Sequence, residues 1–600
     1  MKLKLMMTVA ALIAASTSFA ASSNYSLQSV YVPMKDGVWI AVDIALPAVR
    51  ANGQRLPAIL VQTRYWRGMQ LAPGVPDPEQ YDTMREFKSY FTANGYAVVV
   101  ADVRGTGASF GEHPNPWSKK EVGDGYELVE WMTRQPWCNG RVAGVGVSYD
   151  GTTAQNLAIS GHPAVKAIIP QAMEWDVYSA IAFPGGVRND WFLRTWSAAN
   201  QVLDRNRLCD DESEECAALS KVVLGVRRVD EDRDGSLLAR ALEDHRRNRD
   251  LYEAVSEVEF RDQAGSKHGL VIDEFSVHTY AQAIQRSRIP MFGWGSWHDG
   301  ATAQSVIRRF QPVSNPQIGV IGNWNHGSTL DSDPYHAADA PLSMSVAEQF
   351  ELQRQFLDAY MKDGAPKIET GWLRYYTLGE DRWKQTGVWP PRGFQTERWY
   401  LDAGKSLGTS EPSSSGIDYH QVDFDASTGM TNRWVTQAGG GDVIYGDRAE
   451  ADERLLAYTS DPLGFAREVT GSPIVKLQLA STHADGAVFV YLEDVAPDGT
   501  VPYLTEGMLR LIHRQPASGG ELHTFRKDVA LPMAQGVMAE VSIEMQPVSV
   551  LIPAGHRIRV AIAGHDASVF ARYPESGVPT LTIGRDRAKP SFIELPMVRR

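Results

Sequence analysis

The most constraining feature of this 600-residue chain is the alternation of buried strands with helices in its first third. Continuous apolar runs of strand length predict strands that are covered on both faces of a sheet. Segments with helical periodicity separate these runs, and strands that alternate with helices form a mostly parallel sheet. We therefore predict an α/β domain, with strands at 56–65, 95–107, 140–148 and 165–172, and helices at 121–137 and 149–161.

The pattern changes twice further along the chain. A charged, helix-rich stretch interrupts the sheet and predicts a helical cap over the carboxyl edge of the strands, where ligands of α/β sheets bind. After about residue 340, short strands separated by turn signals predict an all-β sandwich. The predicted domains are an α/β domain in two parts (24–186 and 281–365), the cap (187–280) and the sandwich (366–600).

The N-terminal segment indicates the cellular location, and the net charge limits the kinds of partner. Residues 1–20 combine MKLK, an apolar run and STSFA, which is typical of a bacterial export signal cleaved after Ala20. We therefore expect a periplasmic or secreted protein. The net charge of −13 argues against a nucleic-acid partner, and no later apolar run is long enough to span a bilayer.

The three cysteines predict one disulfide and no metal site. Cys209 and Cys216 bracket the short segment DDESEE and can pair in an oxidising compartment, whereas Cys138 is expected to be a small packed residue. The run DEDRDG at 230–235 resembles the start of a calcium loop, but Ala241 stands where the closing glutamate belongs. We expect a solvated loop there.

The segment GVSYDG (146–151) follows a predicted strand and begins a predicted helix. A serine on such a sharp strand-to-helix turn is typical of the nucleophile of α/β-hydrolases, although an ordinary turn serine fits the six letters alone. The glycines on either side of Ser148 allow the turn. The backbone N–H of Tyr149, at the start of the helix, can then donate to an oxyanion.

A hydrolase of this type needs an acid and then a base later in the chain. Asp299 in GWGSWHDG and His326 in GNWNHG each follow an apolar strand, in the required order. His326 would accept the proton of Ser148, and Asp299 would orient its imidazole. His298 is the competing base, and a backbone-bonded loop histidine is the ordinary alternative for His326.

Longer segments support a family resemblance. They are DVRGTGASFG (102–111), DGYELVEWMTRQPWCNGRVAGVGVSYDG (124–151), the HDG and NHG loops, LLAYTSDPL, VTGSPIVKL and PAGHRIRVAIAG. With them, the chain resembles the X-Pro dipeptidyl-peptidase and cocaine-esterase-like serine hydrolases, which include α-amino acid ester hydrolases and glutaryl-cephalosporin acylases. The resemblance implies an α/β-hydrolase fold, with Ser148, Asp299 and His326 as the triad, and a galactose-binding-like jelly roll at the C-terminus. The stretch GSWH before Asp299 departs from the family pattern.

The resemblance also implies a second oxyanion donor and a substrate pocket. The family's oxyanion tyrosine corresponds to Tyr65. Relatives that act on α-amino esters carry an acidic residue two places later, where this chain has Arg67, which favours a neutral or anionic acyl group. Aromatic side chains should line the acyl pocket, and Glu174, Asp176 and Asp190 remain candidates to reach it. The predicted substrate-binding residues are Trp66, Arg67, Trp175 and Trp297.

We therefore expect an exported serine hydrolase that cleaves a small ester, amide or short peptide through an acyl-enzyme, without metal or cofactor. An X-Pro dipeptidyl-peptidase is the alternative within this class. A non-catalytic binding protein on a hydrolase scaffold is the alternative outside it. A homo-oligomer is left open.

Overall fold

The computed structural model describes residues 24–265, 269–517 and 522–598. The predicted export signal at 1–20 lies outside this range. Across the described residues, no helix has both the length and the apolar character needed to cross a bilayer.

The first domain is built on a ten-stranded sheet in the order β1-β2-β5-β3-β6-β7-β9-β10-β11-β12. The strands from β5 to β11 pair in parallel, while β1, β2 and β12 add antiparallel edges. The central strands are buried on both faces, as their continuous apolar runs predict. Their bounds, with those of the short pair β4 and β8, are β1 Tyr25–Pro33, β2 Trp39–Pro47, β3 Leu56–Thr63, β4 Met69–Leu71, β5 Ala97–Asp102, β6 Cys138–Val147, β7 Val165–Gln171, β8 Val223–Val226, β9 Met291–Ser296, β10 Gln317–Gly322, β11 Trp372–Thr377 and β12 Arg382–Thr386.

Helices cover both faces of this sheet, and a further group forms the cap. Leu128 and Leu157 on α2 and α3 pack against one face, and Phe91 and Phe356 on α1 and α10 pack against the other. The cap contains α4 to α7, and its strand β8 pairs with β4. The helices are α1 Arg85–Ala93, α2 Lys119–Thr133, α3 Tyr149–Ser160, α4 Asp190–Asp204, α5 Glu214–Val222, α6 Ser236–His245, α7 Leu251–Val255, α8 Ala281–Ser287, α9 Thr302–Phe310, α10 Val346–Met361 and α11 Ala449–Asp452.

The C-terminal domain is rich in β-structure, and thirteen strands join in one connected sheet. Side chains along several of its strands alternate between buried and partly exposed, as expected for short strands with one face in the core. The strands are β13 Phe394–Asp402, β14 Ser406–Gly408, β15 Gly416–Gln421, β16 Leu456–Ser460, β17 Arg467–Gly471, β18 Ile474–Ser481, β19 Ala487–Val495, β20 Tyr503–Arg510, β21 Ala539–Glu544, β22 Val548–Ile552, β23 Arg557–Ala563, β24 Thr580–Arg585 and β25 Phe592–Val598.

The fold class predicted from the sequence, an α/β-hydrolase-like domain followed by a β-rich domain, is confirmed. One difference concerns the boundary at residue 366. Strands β11 and β12 follow it but complete the first sheet, because β11 pairs in parallel with β10. Their short alternating pattern fits either sheet, so periodicity alone does not assign them.

Candidate active site

The backbone at Ser148 forms a strained turn between β6 and α3. Ser148 has φ 63° and ψ −125°, which is unfavourable for a residue with a side chain. The neighbouring glycines are required by contact: a Cβ on Gly146 would lie 2.2 Å from the Asp150 carbonyl oxygen, and one on Gly151 would lie 2.3 Å from the Gln171 carbonyl oxygen. The turn therefore depends on glycine at the first and sixth positions of GVSYDG.

Two hydrogen-bond donors lie beside this turn. Tyr149 is the first residue of α3, so its N–H is among those that a helix leaves without an internal partner. The Tyr65 side chain lines the same cavity as Ser148. Its hydroxyl oxygen accepts a hydrogen bond from Trp196 Nε1 at 2.8 Å, which leaves its own proton available to donate. Burial raises the pKa of Tyr65, so that proton is retained at neutral pH.

Asp299 and His326 form a buried pair at the carboxyl ends of adjacent strands. They follow β9 and β10, and the Asp299 oxygens lie 2.8 and 3.0 Å from His326 Nδ1. Burial alone would lower the pKa of His326, but attraction and hydrogen bonding to Asp299 outweigh it, and the pKa is raised. His326 Nε2 is buried without a hydrogen-bond partner, and no hydrogen bond joins it to Ser148 among the described residues.

The segment 432–441 of the C-terminal domain contacts the loop that carries Asp299 and the loop that carries His326. Arg433 donates to the carbonyl oxygen of Gly300 at 2.9 Å, and its own carbonyl accepts from the Gly300 N–H at 2.7 Å. The Thr436 hydroxyl oxygen accepts from the His326 N–H at 3.2 Å. The contacts of this segment therefore fix the main chain at Gly300 and at His326, next to and within the Asp299–His326 pair.

His298, the competing base, is committed to the main chain. Its Nδ1 lies 2.9 Å from the Ser332 carbonyl oxygen and its Nε2 lies 2.9 Å from the Leu504 carbonyl oxygen. Burial, with the nearby charge of Arg433, lowers the pKa of His298 to about 4. Both ring nitrogens of His298 therefore face main-chain carbonyl oxygens, whereas Nε2 of His326 has no hydrogen-bond partner.

A cavity lies between Ser148 and the cap, and nearly all of its wall is apolar or aromatic. Phe192 and Trp196 supply aromatic rings of the kind expected in an acyl pocket, whereas Trp117 and Phe275 are lining residues that sequence reasoning missed. No local pattern marks these two, because they come from separate loops. The lining residues are Tyr65, Pro116, Trp117, Ser148, Tyr149, Glu174, Val177, Ile181, Ala182, Phe192, Leu193, Trp196, Leu251, Val255, Ile272 and Phe275.

Glu174 is the charged member of this lining. The side chain is only 4% exposed. Burial raises the pKa of Glu174 to about 7, the negative charge of Asp299 acts in the same direction, and His326 opposes the rise. The carboxyl group therefore lies close enough to the Asp299–His326 pair to interact with it, while it also borders the cavity that contains Ser148.

Arg67 and Trp66 do not line the cavity, which corrects the prediction for both. Arg67 is buried in an ion-pair network, where its guanidinium group donates to Asp43 at 3.1 Å and to Asp102 at 2.8 Å. Trp66 has φ 69°, which redirects the chain after Tyr65, and its ring packs against cap residues such as Leu203. The argument from Arg67 for a neutral or anionic acyl group therefore fails, because its charge is neutralised away from the site.

Trp175 and Trp297 are also core residues and lie outside the cavity lining. Trp175 packs in the apolar cluster that contains Val277 and Ile284. Trp297 is fully buried, and its indole N–H donates to the Tyr376 carbonyl oxygen at 2.7 Å. Both flank functional positions in the sequence, but their side chains point into the packed interior.

The two other acidic candidates, Asp176 and Asp190, form ion pairs. Asp176 is buried against Arg261, which outweighs the effect of burial and lowers the pKa of Asp176 to about 2. Asp190 contacts Arg188 at 3.1 Å and Arg194 at 3.0 Å at the start of α4.

Cys209 and Cys216 form the predicted disulfide, with a Cα–Cα distance of 5.8 Å, which closes the start of α5 onto the preceding loop.

Comparisons with known proteins agree over almost the whole chain. Residues 36–328 match the family model of X-Pro dipeptidyl-peptidase (S15 family), and 366–594 match the X-Pro dipeptidyl-peptidase C-terminal non-catalytic domain. A putative serine esterase of Mycobacterium bovis is 40% identical over 95% of this chain and 95% of its own length. Cocaine esterase of Rhodococcus sp. is 26% identical over 96% of this chain and 99% of its own. The crystal structure of an aminopeptidase from a marine sediment archaeon, Thaumarchaeota archaeon, has the same fold, with a TM-score of 0.73 and 19% identity over 97% and 98% of the two chains.

Proposed function

Because the chain belongs to the X-Pro dipeptidyl-peptidase (S15) family and is a serine hydrolase, we propose that it cleaves an ester or amide bond through an acyl-enzyme on Ser148. Ser148 Oγ attacks the carbonyl carbon while His326 Nε2 takes its proton. The Tyr149 N–H and the Tyr65 hydroxyl donate to the oxyanion that forms. Asp299 keeps the proton on His326 Nδ1 and stabilises the imidazolium.

The second half of the reaction reverses these roles. The proton on His326 Nε2 passes to the leaving alcohol or amine as the carbonyl re-forms, and the acyl group stays on Ser148. Water then enters, gives a proton to His326 Nε2 and attacks the acyl carbon. The carboxylic acid leaves, and the proton returns to Ser148 Oγ. Every step uses groups of this chain and water.

The observation that carries this proposal is the unpartnered Nε2 of His326, which lies near Glu174, while Glu174 borders the cavity that contains Ser148. His326 Nδ1 is held by Asp299 at 2.8 Å, so the tautomer suited to a base is favoured. The most direct test is labelling of the full chain with a fluorophosphonate. We expect labelling of the wild type and of Ser160→Ala, a change at the far end of α3, and no labelling of Ser148→Ala. Equal labelling of folded Ser148→Ala would reject the assignment, and absence of labelling in the folded wild type would favour the binding-protein alternative.

The cavity supports an apolar or aromatic acyl group with a polar substituent directed at Glu174. Its wall combines aliphatic side chains with six aromatic rings, which favours flat or bulky apolar groups. Glu174 also gives the alternative activity, release of an N-terminal dipeptide, a specific basis. An ionised carboxylate in this cavity can pair with the ammonium group of a peptide N-terminus.

A substrate panel separates these two activities. It contains a phenylacetyl ester, a glutaryl anilide and an Ala-Pro anilide, tested on the wild type and Glu174→Gln. Fast turnover of the phenylacetyl ester, little affected by Glu174→Gln, supports the esterase. Turnover of the Ala-Pro anilide alone, lost in Glu174→Gln, supports the dipeptidyl-peptidase and rejects the esterase.

We also propose that the protein is exported. The segment 1–20 has the composition of a cleavable signal, and the Cys209–Cys216 disulfide suits an oxidising compartment. Cell fractionation with N-terminal sequencing of the mature chain tests this. Mature protein that begins near residue 21 outside the cytoplasm supports export, and a full-length cytoplasmic chain contradicts it.

A further inference from the structure

A second cluster of titratable side chains lies just beyond the His326 loop. Asp331, Asp333 and His336 come from one short segment, and Asp381 comes from the turn between β11 and β12. Ligand atoms of Asp333, His336 and Asp381 all lie within 4.8 Å of one another. No sequence motif predicts this arrangement, because Asp381 is distant in the sequence and the spacing of the other three matches no metal-binding pattern considered above.

His336 lies between two carboxylates. Its Nδ1 is 3.2 Å from Asp331 Oδ1, and its Nε2 is 3.1 Å from Asp381 Oδ1. The distance between Nε2 and Asp381 Oδ1 is close to the spacing of about 3 Å between neighbouring ligand atoms in octahedral coordination with bonds near 2.1 Å. One carboxylate therefore already orients the imidazole through Nδ1, and Nε2 faces a second carboxylate. A metal-binding histidine usually has such a carboxylate on the ring nitrogen that does not bind the metal.

Asp333 supplies an independent reason to expect a ligand. It is 4% exposed, and its Oδ2 is buried without a hydrogen-bond partner, whereas its Oδ1 accepts from the Tyr335 N–H at 3.0 Å. A buried carboxylate oxygen left unpaired is costly. Asp333 contributes one carboxylate oxygen to the ligand atoms that converge, so a cation bound there would compensate the charge of this buried carboxylate.

The charges of the cluster favour a cation. Three carboxylates meet at one histidine, and His336 is the positive group that acts most strongly on both Asp331 and Asp333. One imidazole, even when protonated, leaves an excess of negative charge on the three carboxylates, two of which, Asp331 and Asp333, are buried. Exchange of its Nε2 proton for a divalent ion would add one further positive charge.

We propose that Asp333, His336 and Asp381 bind a divalent transition-metal cation, with Asp331 as the hydrogen-bond partner of His336 Nδ1. One imidazole with two carboxylates suits Zn²⁺, a borderline ion, and also Mn²⁺, which binds nitrogen more strongly than Mg²⁺ does. The Asp381 side chain is 61% exposed, which leaves a rim for water ligands and for entry of the ion.

The expected role of the ion is structural. Asp331 forms a β-bridge with Trp324, and the Ser332 N–H donates to the Asn323 carbonyl oxygen at 2.9 Å, so the metal-binding segment is paired with the loop that carries His326. A metal shared with Asp381 would join that loop to the β11–β12 turn. This role does not depend on the substrate of the enzyme.

The test uses the tag-free full chain, stripped with a chelator and dialysed. Zn²⁺, Mn²⁺ and Mg²⁺ are added separately, and binding is measured by calorimetry, with bound metal counted by elemental analysis after gel filtration. We expect one Zn²⁺ or Mn²⁺ per wild-type chain, tight enough to survive gel filtration and accompanied by a higher midpoint of thermal unfolding, and at least tenfold weaker binding of Mg²⁺.

Two variants and one control assign the site. Asp333→Asn and Asp381→Asn should each weaken binding at least tenfold, and Asp339→Asn, an exposed change in the same loop, should bind like the wild type. Asp381→Asn lies at the exposed rim, so it tests the site even if Asp333→Asn does not fold. Wild-type protein without stoichiometric metal, or undiminished binding in Asp381→Asn, overturns the proposal.

Discussion

Replacement of Glu174 by glutamine removes a buried ionisable group while it keeps the shape of the side chain. Burial raises the pKa of Glu174 from its ordinary 4.5 to about 7. At about 1.4 kcal/mol per pKa unit, this rise corresponds to about 3 kcal/mol. That energy is the cost of keeping an ionised Glu174 in the folded protein instead of in the unfolded chain.

The sign of the effect follows from proton binding. The folded protein holds this proton more tightly than the unfolded chain, so the free energy of unfolding falls as the pH rises from about 4.5 to about 7. Glutamine has no proton to lose. The stability of Glu174→Gln relative to the wild type should therefore rise by up to about 3 kcal/mol between pH 5 and pH 8.

Urea denaturation followed by tryptophan fluorescence measures this difference at several pH values. Wild type and variant are compared at the same pH, so the titration of other groups cancels. Glu86→Gln, on the exposed surface of α1, is the control. A difference between Glu174→Gln and the wild type that stays constant from pH 5 to pH 8 would show that Glu174 titrates normally, and the electrostatic description of the cavity would be wrong.

Three further changes test the parts of the site. Tyr65→Phe should lower kcat about 10²- to 10³-fold with little change in KM, because it removes a donor used only in the transition state; an unchanged kcat would exclude Tyr65 from the oxyanion site. Asp299→Asn should lower kcat about 10⁴-fold while circular dichroism stays like that of the wild type, and a loss below tenfold would argue against its role in orienting His326. Gly151→Ala should prevent folding or abolish activity, because its Cβ would lie 2.3 Å from the Gln171 carbonyl oxygen, whereas Gly123→Ala, in open space on α2, should be tolerated; equal activity of the two variants would contradict the contact.

The fold class was predictable because the central strands are buried on both faces and therefore appear as continuous apolar runs. The strands predicted at 56–65, 95–107, 140–148 and 165–172 correspond to β3, β5, β6 and β7. The pair β4–β8 was missed, since strands of three and four residues carry no usable periodicity. The jelly roll stays a prediction, as does the position of the export signal, which lies outside the described residues.

The site residues show where sequence order is informative. Ser148, Asp299 and His326 each follow a strand of one parallel sheet, and the carboxyl ends of such strands share an edge. Sequence order does not predict the pocket wall, because the wall depends on the direction of each side chain. Trp66 and Arg67 directly follow Tyr65, yet the positive φ at Trp66 and the pairing of Arg67 with Asp102 direct both side chains away from the cavity. Trp117 and Phe275 reach it from distant loops.

The central claim is that three separated side chains act together on one carbonyl. The most direct measurement is a crystal structure of the adduct formed with an alkyl phosphonate. We expect the phosphorus on Ser148 Oγ, His326 Nε2 within hydrogen-bonding distance of the adduct, and the phosphonyl oxygen between the Tyr65 hydroxyl and the Tyr149 N–H. An adduct on another residue, or a phosphonyl oxygen directed away from both donors, would contradict the mechanism.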